Sequence, residues 1–171
     1  MPGLPKLISP RLALHPWKPD QTEEMALILS DPITMKYWPS PYDEAGVTKW
    51  MNRAQDNYPD GIGRMAVYLR KTGELIGDAG LNPYEFEGEE GLDIGWIIRH
   101  EFQRNGYGAE AGKLLMQYAR EELRHPLVVA NMPDDHPGSW KIAEKLDMKL
   151  EKTAPNPLNR QILTRWYSYR L

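Results

Sequence analysis

Between Gly91 and Ala111 an apolar, strand-like run (Ile94 to Ile98) meets a glycine-bearing turn that opens at once into a helical pattern. A strand fed into a helix through so short a turn belongs to α/β architectures. It also points several consecutive backbone N–H groups outward at the positive end of a helix dipole, the layout of a phosphate cradle. Gly106 and Gly108 let a bulky diphosphate approach the main chain closely. Two cradles are excluded by spacing. A P-loop ends in Gly-Lys-Ser/Thr, and no such triplet follows. A dinucleotide fingerprint has three glycines after the first strand of a βαβ unit. Here the pair comes late in the chain and Ala111 stands at the third position.

The remaining pattern supplies the other elements. Leu12 and Leu14 alternate with Arg11 and Ala13, a strand ending at Pro16. Met25, Leu27, Ile28 and Leu29 make Asp20 to Ser30 a helix with acids in its first turn. Asp31-Pro32 starts a second short helix running toward Trp38. Val47, Trp50, Met51 and Ala54 share one face of a helix from Asp43 to Asn57. Met65–Arg70 and Glu74–Leu81 are strands joined at Lys71-Thr72-Gly73. Tyr84 to Glu90 reads as an acidic loop. Leu92–Ile98 is the strand before the cradle, and Gly106–Leu123 the helix after it. Leu127–Met132 is a short buried strand, Gly138–Leu146 a helix, and Lys149–Thr153 and Gln161–Arg170 are closing strands. The order predicts one α/β domain over residues 1–171 with a mixed sheet.

Composition narrows the function classes. A chain of 171 residues with 41% hydrophobic content builds one ordinary core. No run is long enough to span a membrane, and the N-terminus lacks an apolar signal core. Cysteine is absent. That removes disulfides, thiol nucleophiles and cysteine-ligated metals, and together with the N-terminus leads to a cytoplasmic expectation. The four histidines (His15, His100, His125 and His136) have no zinc spacing. No metal site is expected. A net charge of −3, with scattered basic residues and no nucleic-acid motif, argues against nucleic-acid binding.

Gln103-x-x-Gly106-x-Gly108, with Asp-Ile-Gly-Trp-Ile-Ile before it and Gly-Tyr-Gly-Ala-Glu-Ala from Gly106, resembles the acyl-coenzyme A loop of the GNAT acetyltransferase superfamily. The flanks are similar to the branch that includes ribosomal-protein N-terminal acetyltransferases. So are Arg11-Leu12-x-Leu14, Ser30-Asp31-Pro32 and Gly73-Glu74-Leu75-Ile76-Gly77. The resemblance covers nearly the whole chain. It implies the GNAT fold: a mixed central sheet with a splayed pair of strands and helices on both faces. It also implies acetyl-coenzyme A as acyl donor and an amine as acceptor.

The resemblance assigns Gln103, Arg104, Asn105, Gly106, Tyr107, Gly108 and Ala109 to the pyrophosphate. Ile98, five residues before Gln103, would offer its N–H to the thioester carbonyl. Trp96 lies on the same edge, with core packing the favoured role of its side chain. Glu110, near the anion-binding end, is expected to pack or cap rather than touch the cofactor. On the second cofactor wall Ser139 matches the serine of the branch's Asn-x-x-Ser, while His136 stands where the asparagine would be and Asn131 is a possible substitute. The tyrosine acid of many GNAT enzymes is replaced by Ala143. Ser139 is therefore the candidate acid, a helix-terminal hydroxyl being its other reading. Asp93, Glu101 and the loop acids Glu85, Glu87, Glu89 and Glu90 are candidates for the base, and Asp93 on the cradle strand is chosen. The expected activity is direct acetyl transfer to a primary amine, either a protein or peptide α-amine or a small amine, by a monomer or homodimer. The rival readings are a non-catalytic acyl-coenzyme A-binding module and a scaffold without cofactor.

Overall fold

The computed structural model describes residues 3–171. Eight strands form one sheet in the order β1-β2-β3-β4-β5-β6-β8-β7. Along the chain these are β1 (Leu7–Ile8), β2 (Leu12–Pro16), β3 (Gly63–Leu69), β4 (Leu75–Phe86), β5 (Glu89–Ile98), β6 (Leu127–Pro133), β7 (Lys149–Asn156) and β8 (Ile162–Arg170). Helices α1 (Thr22–Leu29) and α2 (Glu44–Asn57) link β2 to β3, α3 (Tyr107–Glu121) crosses from β5 to β6, and α4 (Pro137–Lys145) follows β6. All neighbouring strands are antiparallel except β5 and β6. A parallel pair needs a long crossover, and α3 is that crossover.

The alternation of side chains along each strand sorts the core into two layers. Leu92, Ile94 and Ile98 of β5 join Leu115, Ala119, Ala143 and Leu146 of α3 and α4 on one face. Ile97 joins Met25, Ile28, Val47 and Met51 of α1 and α2 on the other. The helix caps are local. Asp43 accepts from the Gly46 N–H at 2.8 Å and so starts α2. Gly106 (φ 79°) turns the chain into α3 in a left-handed conformation that only glycine adopts freely.

Two expectations are corrected. Asp31 to Trp38 is not a helix but a chain of turns. Asp31 caps the first turn through the Thr34 N–H at 3.1 Å. Among the described residues only one i→i+4 bond follows, Met35 N–H to Asp31 O, and the chain then closes i→i+3 from Trp38 to Met35 before Pro39, so no second helical turn propagates. Tyr84 to Glu90 is not a loop. β4 and β5 pair as far as Phe86 opposite Glu89, and Glu87 (φ 51°) and Gly88 (φ 83°) make the tight turn with both φ values positive, as a right-twisted hairpin favours. The edge strand β1, two residues long, carries too little pattern to be read from sequence.

β5 and β6 pair only at Leu92 with Val128 and Asp93 with Val129. Beyond Asp93, β5 stays with β4 as far as Ile98, while β6 stays with β8 as far as Pro133. The sheet is therefore open in its middle. No helix among the described residues is long and apolar enough to cross a membrane.

Candidate active site

The cradle lies where β5 ends. After a short 3-10 turn (His100–Phe102), Arg104 (φ 66°) and Gly106 both take left-handed backbone conformations. The first bond of α3 runs from the Glu110 N–H to Gly106 O at 3.0 Å. Among the described residues the amides from Arg104 to Ala109 find no acceptor, and no side chain caps the helix. They are donors at the positive helix end, on an exposed loop. The loop is held from behind. Gln103 Nε2 donates to Ile98 O at 2.9 Å. Asn105 Nδ2 donates to Phe102 O at 3.1 Å, and Arg11 Nη1 donates to Asn105 O at 2.9 Å. Gln103 and Asn105 thus direct their side chains to backbone carbonyls, and since the Gln103 N–H goes to His100 O, it is the Asn105 N–H that is left for an anion.

Glu110 faces away from this ring of donors. It accepts from Ser9 Oγ at 2.6 Å and from Arg11 Nε at 2.7 Å, which lowers its pKa against the opposing effect of desolvation. Its negative charge is thus taken up by the β1–β2 turn. Gly108 has a packing role beyond any approach of phosphate. A Cβ there would stand 3.0 Å from Ile142 Cδ1 of α4 and 3.6 Å from Trp96 Cδ1.

The edge of β5 faces the opening in the sheet. Arg99 N–H donates to Ile76 O at 2.8 Å. Because an antiparallel ladder alternates, the main-chain groups of Ile98 and Trp96 point the other way, toward β6. Gln103 takes the Ile98 carbonyl, and the Ile98 and Trp96 N–H groups face the gap. The Trp96 ring packs beneath α3 near Gly108 and Gly112, and its Nε1 is buried without a partner among the described residues.

A cleft of about 400 Å³ runs through this gap. On the α2 side it is lined by Trp50, Arg53 and Arg64, on the α4 side by His136 and Ser139, and between them by Asp93, Trp96 and Asn131. His136 stacks on Tyr37 with ring centroids 3.7 Å apart. Asn159 Nδ2 donates to Tyr37 O at 2.8 Å. These contacts roof the cleft from the α1–α2 connection and the β7–β8 turn.

This arrangement, a split parallel pair with an amide-rich turn at its mouth, can be set beside known proteins. Residues 11–149 match the family model described as an acetyltransferase (GNAT) domain. The chain belongs to the GNAT acetyltransferase family. An uncharacterized N-acetyltransferase of Bacillus subtilis, YnaD, is 29% identical over 124 residues, covering 71% of this chain and 69% of that protein. The crystal structure of an acetyltransferase from Agrobacterium tumefaciens superposes with a TM-score of 0.76 at 26% identity, covering 98% of this chain and 95% of that one. The ribosomal L7/L12 alpha-N-protein acetyltransferase RimL, solved in complex with coenzyme A, shares the fold with a TM-score of 0.81 at 15% identity over 98% of each chain.

Within this GNAT chain the candidate catalytic groups meet in one cavity. Asp93 lies on the floor of the cleft, and burial pushes its pKa up to about 6 against the opposing charges of Arg64 and Arg53. Asn131 Nδ2 reaches it from β6 at 3.4 Å. Ser139 is buried, lines the cleft, and makes no side-chain hydrogen bond among the described residues. It is not a helix cap, because His136 occupies that position and Ser139 sits inside α4. Burial and then Lys36 hold the His136 pKa down to about 4, so the imidazole is neutral at pH 7. Its ring takes part in the stack with Tyr37 rather than reproducing an asparagine amide. Ala143, at the family's tyrosine position, is fully buried on the inner face of α4.

The other acids stand elsewhere. Glu87 pairs with Lys152 at 2.9 Å, Glu89 with Arg170 at 2.6 Å and Glu101 with Arg99 at 3.3 Å. Glu85 and Glu90 line a separate surface hollow with His125. Sequence reasoning missed a polar network under the cleft. Arg64 Nε donates to Asp78 Oδ1 at 2.6 Å, and Trp17 and Trp50 donate to Asp78 Oδ2 at 2.8 and 3.3 Å. Gly95 is its one sequence signal: a glycine inside a strand marks a close approach, and here the Arg64 guanidinium fills the place of a Cβ.

Proposed function

We propose that the chain is an acetyl-coenzyme A-dependent N-acetyltransferase that transfers the acetyl group directly to a primary amine, either a protein N-terminal α-amine or a small amine. The observation that carries this reading is the cleft between the split strands, which brings Asp93 and Ser139 together beside the β5 edge at Trp96. The residues fit the donor. The amides from Arg104 to Ala109 are unpaired among the described residues and sit at a helix N-terminus, where a diphosphate is stabilised by both hydrogen bonds and the dipole. The N–H groups of Trp96 and Ile98 on the free edge of β5 would hold the pantetheine arm and the acyl oxygen. That RimL was solved with coenzyme A on the same fold supports the assignment.

Acetyl-coenzyme A brings an already activated acyl group, so the protein has to position, polarise and move protons. Asp93, with its pKa near 6, is ionised at neutral pH and accepts the proton of the attacking amine, directly or through one water. Ser139 Oγ, which makes no side-chain hydrogen bond among the described residues, gives a proton to the departing sulfur and regains one from solvent. In the balance the carbon–sulfur bond breaks, the carbon–nitrogen bond forms, and one proton passes from nitrogen to Asp93 while one reaches sulfur. With no cysteine in the chain, no acyl-cysteine intermediate is available.

The test is thermal stabilisation by acetyl-coenzyme A combined with thiol release on addition of amines. Stabilisation of ~2.7 kcal/mol is expected at 100 times Kd, together with release that depends on the amine. The buried Ala143 in place of the tyrosine favours a second reading, a binding module without turnover. Stabilisation without thiol release from any amine would establish it.

A further inference from the structure

We propose that the acceptor amine of this cleft also carries a carboxylate, received by Arg53 and the free edge of the Arg64 guanidinium while its amine meets Asp93. The amine half of this statement rests on the acyl-transfer reading; the anion site does not. Arg64 is 6% exposed. Its Nε and Nη2 are engaged by Asp78, the latter also by the Asp78 carbonyl at 3.1 Å. Its Nη1 lies over Gly95 on the cleft wall and donates to nothing among the described residues. Arg53, one turn along α2 from Trp50, lines the same wall and makes no ion pair or hydrogen bond among the described residues. An arginine donor left open beside a cavity calls for an acceptor from the ligand.

The charges in the cavity set the orientation. The anions facing it are Asp93 and, behind Arg64, Asp78, and Asp78 is already committed to Arg64, Trp17 and Trp50. The cations Arg53 and Arg64 are on the α2 side. His136 on the α4 side is neutral at pH 7. Asp78 offsets Arg64, but an amine bearing no anion would enter past an Arg53 guanidinium with no partner among the described residues. A zwitterion places its carboxylate on the α2 side and its nitrogen toward Asp93 and the gap. Trp50, Trp38 and Tyr37 give an apolar flank between the two ends. The Tyr37–His136 stack and Asn159 roof a cleft of about 400 Å³, part of which the acyl group takes, so the room left suits an amino-acid-sized molecule rather than an extended peptide.

The experiment offers amino acids, each beside its own carboxamide, to wild type and to Arg53→Gln. O-Phosphoethanolamine and a tripeptide amide are included as separate arms. Thiol release from acetyl-coenzyme A and the melting shift in the presence of coenzyme A are both read. A charge-assisted hydrogen bond contributes about 1.5–3 kcal/mol, so at least one amino acid should exceed its carboxamide by about 10-fold or more. In Arg53→Gln that ratio should fall to within about threefold, with unchanged affinity for acetyl-coenzyme A. Arg53 is exposed, so the variant is expected to fold. Acids and carboxamides that perform equally in both readouts would overturn the proposal. So would an Arg53→Gln variant that loses both members of a pair alike, or a phosphate or peptide-amide arm that exceeds every amino acid. A melting shift that requires the carboxylate, with no thiol release from any amine, would leave the anion site standing and overturn the transfer reading instead.

Discussion

A carboxylate enclosed beside a gap in the sheet resists ionisation, and Asp93 shows this most clearly. Below the unfolded-chain value of 3.8 both folded and unfolded states hold the proton and its contribution vanishes. Between 3.8 and about 6 the folded state keeps a proton that the unfolded state has lost, so stability falls as pH rises through that window. Above it the penalty is complete. A rise from 3.8 to about 6 corresponds to roughly 3 kcal/mol, and access of water to the cleft reduces this to about 1–2 kcal/mol. Asp93→Asn should therefore be more stable than wild type at pH 7.5, as urea titration reads, and equal to it below pH 4. The same variant should lose about 100-fold or more in kcat/KM and lose the rise in rate centred near pH 6, as a lost general base does. Ser139→Ala separates chemistry from capping in the opposite sense. Because Ser139 is not the α4 cap, its melting temperature should stay within about 2 °C of wild type. Its kcat should fall by roughly 10- to 100-fold, at the low end for a lost acid because a thiolate leaves readily near neutral pH. Normal kcat in this variant would mean that solvent protonates the sulfur.

At the scale of elements, the strand–turn–helix unit of β5 and α3 is the part most legible in the sequence. The period-2 run of β5 and the glycines of the turn dictate backbone geometry directly, and α3 starts within a residue of where the pattern puts it. The α1–α2 connection misleads because Pro32 and its spacing also suit a helix start. What decides against the helix is that the capped first turn goes over to i→i+3 closure before Pro39, while Asp31 is also tied to the distant His100. The acidic hairpin misleads because four glutamates flank a glycine turn, and charge masks the alternation. The unpaired amides of the β5–α3 turn carry their own prediction. Acetyl-pantetheine keeps the thioester arm but lacks the diphosphate. Its Kd by calorimetry should be at least about 100-fold weaker than that of acetyl-coenzyme A, since two charge-assisted bonds already exceed that difference. Equal affinities would mean that the turn does not hold the diphosphate.

For the whole molecule, the Arg64–Asp78 pair ties β3 and β4 to Trp50 of α2 and to Trp17 at the end of β2. It anchors the α2 wall of the cleft to the layer under α1 and α2. Only Gly95 hints at this in the sequence, because the network joins residues far apart in the chain whose types, taken singly, are ordinary. Asp78→Ala strands a buried guanidinium and should lower unfolding free energy by about 3–5 kcal/mol in urea titration. The sheet opening between β5 and β6 is expected only through resemblance; its reason in the structure is that β6 follows β8 while β5 follows β4. In the proposed reaction both substrates meet across that opening and the acetyl group passes from one to the other without a covalent stop on the protein. Initial rates with acetyl-coenzyme A and an active amine both varied decide this. Direct transfer predicts intersecting reciprocal plots, with one N-acetyl product formed per thiol released. Parallel plots, or thiol release without acetylated amine, would contradict it.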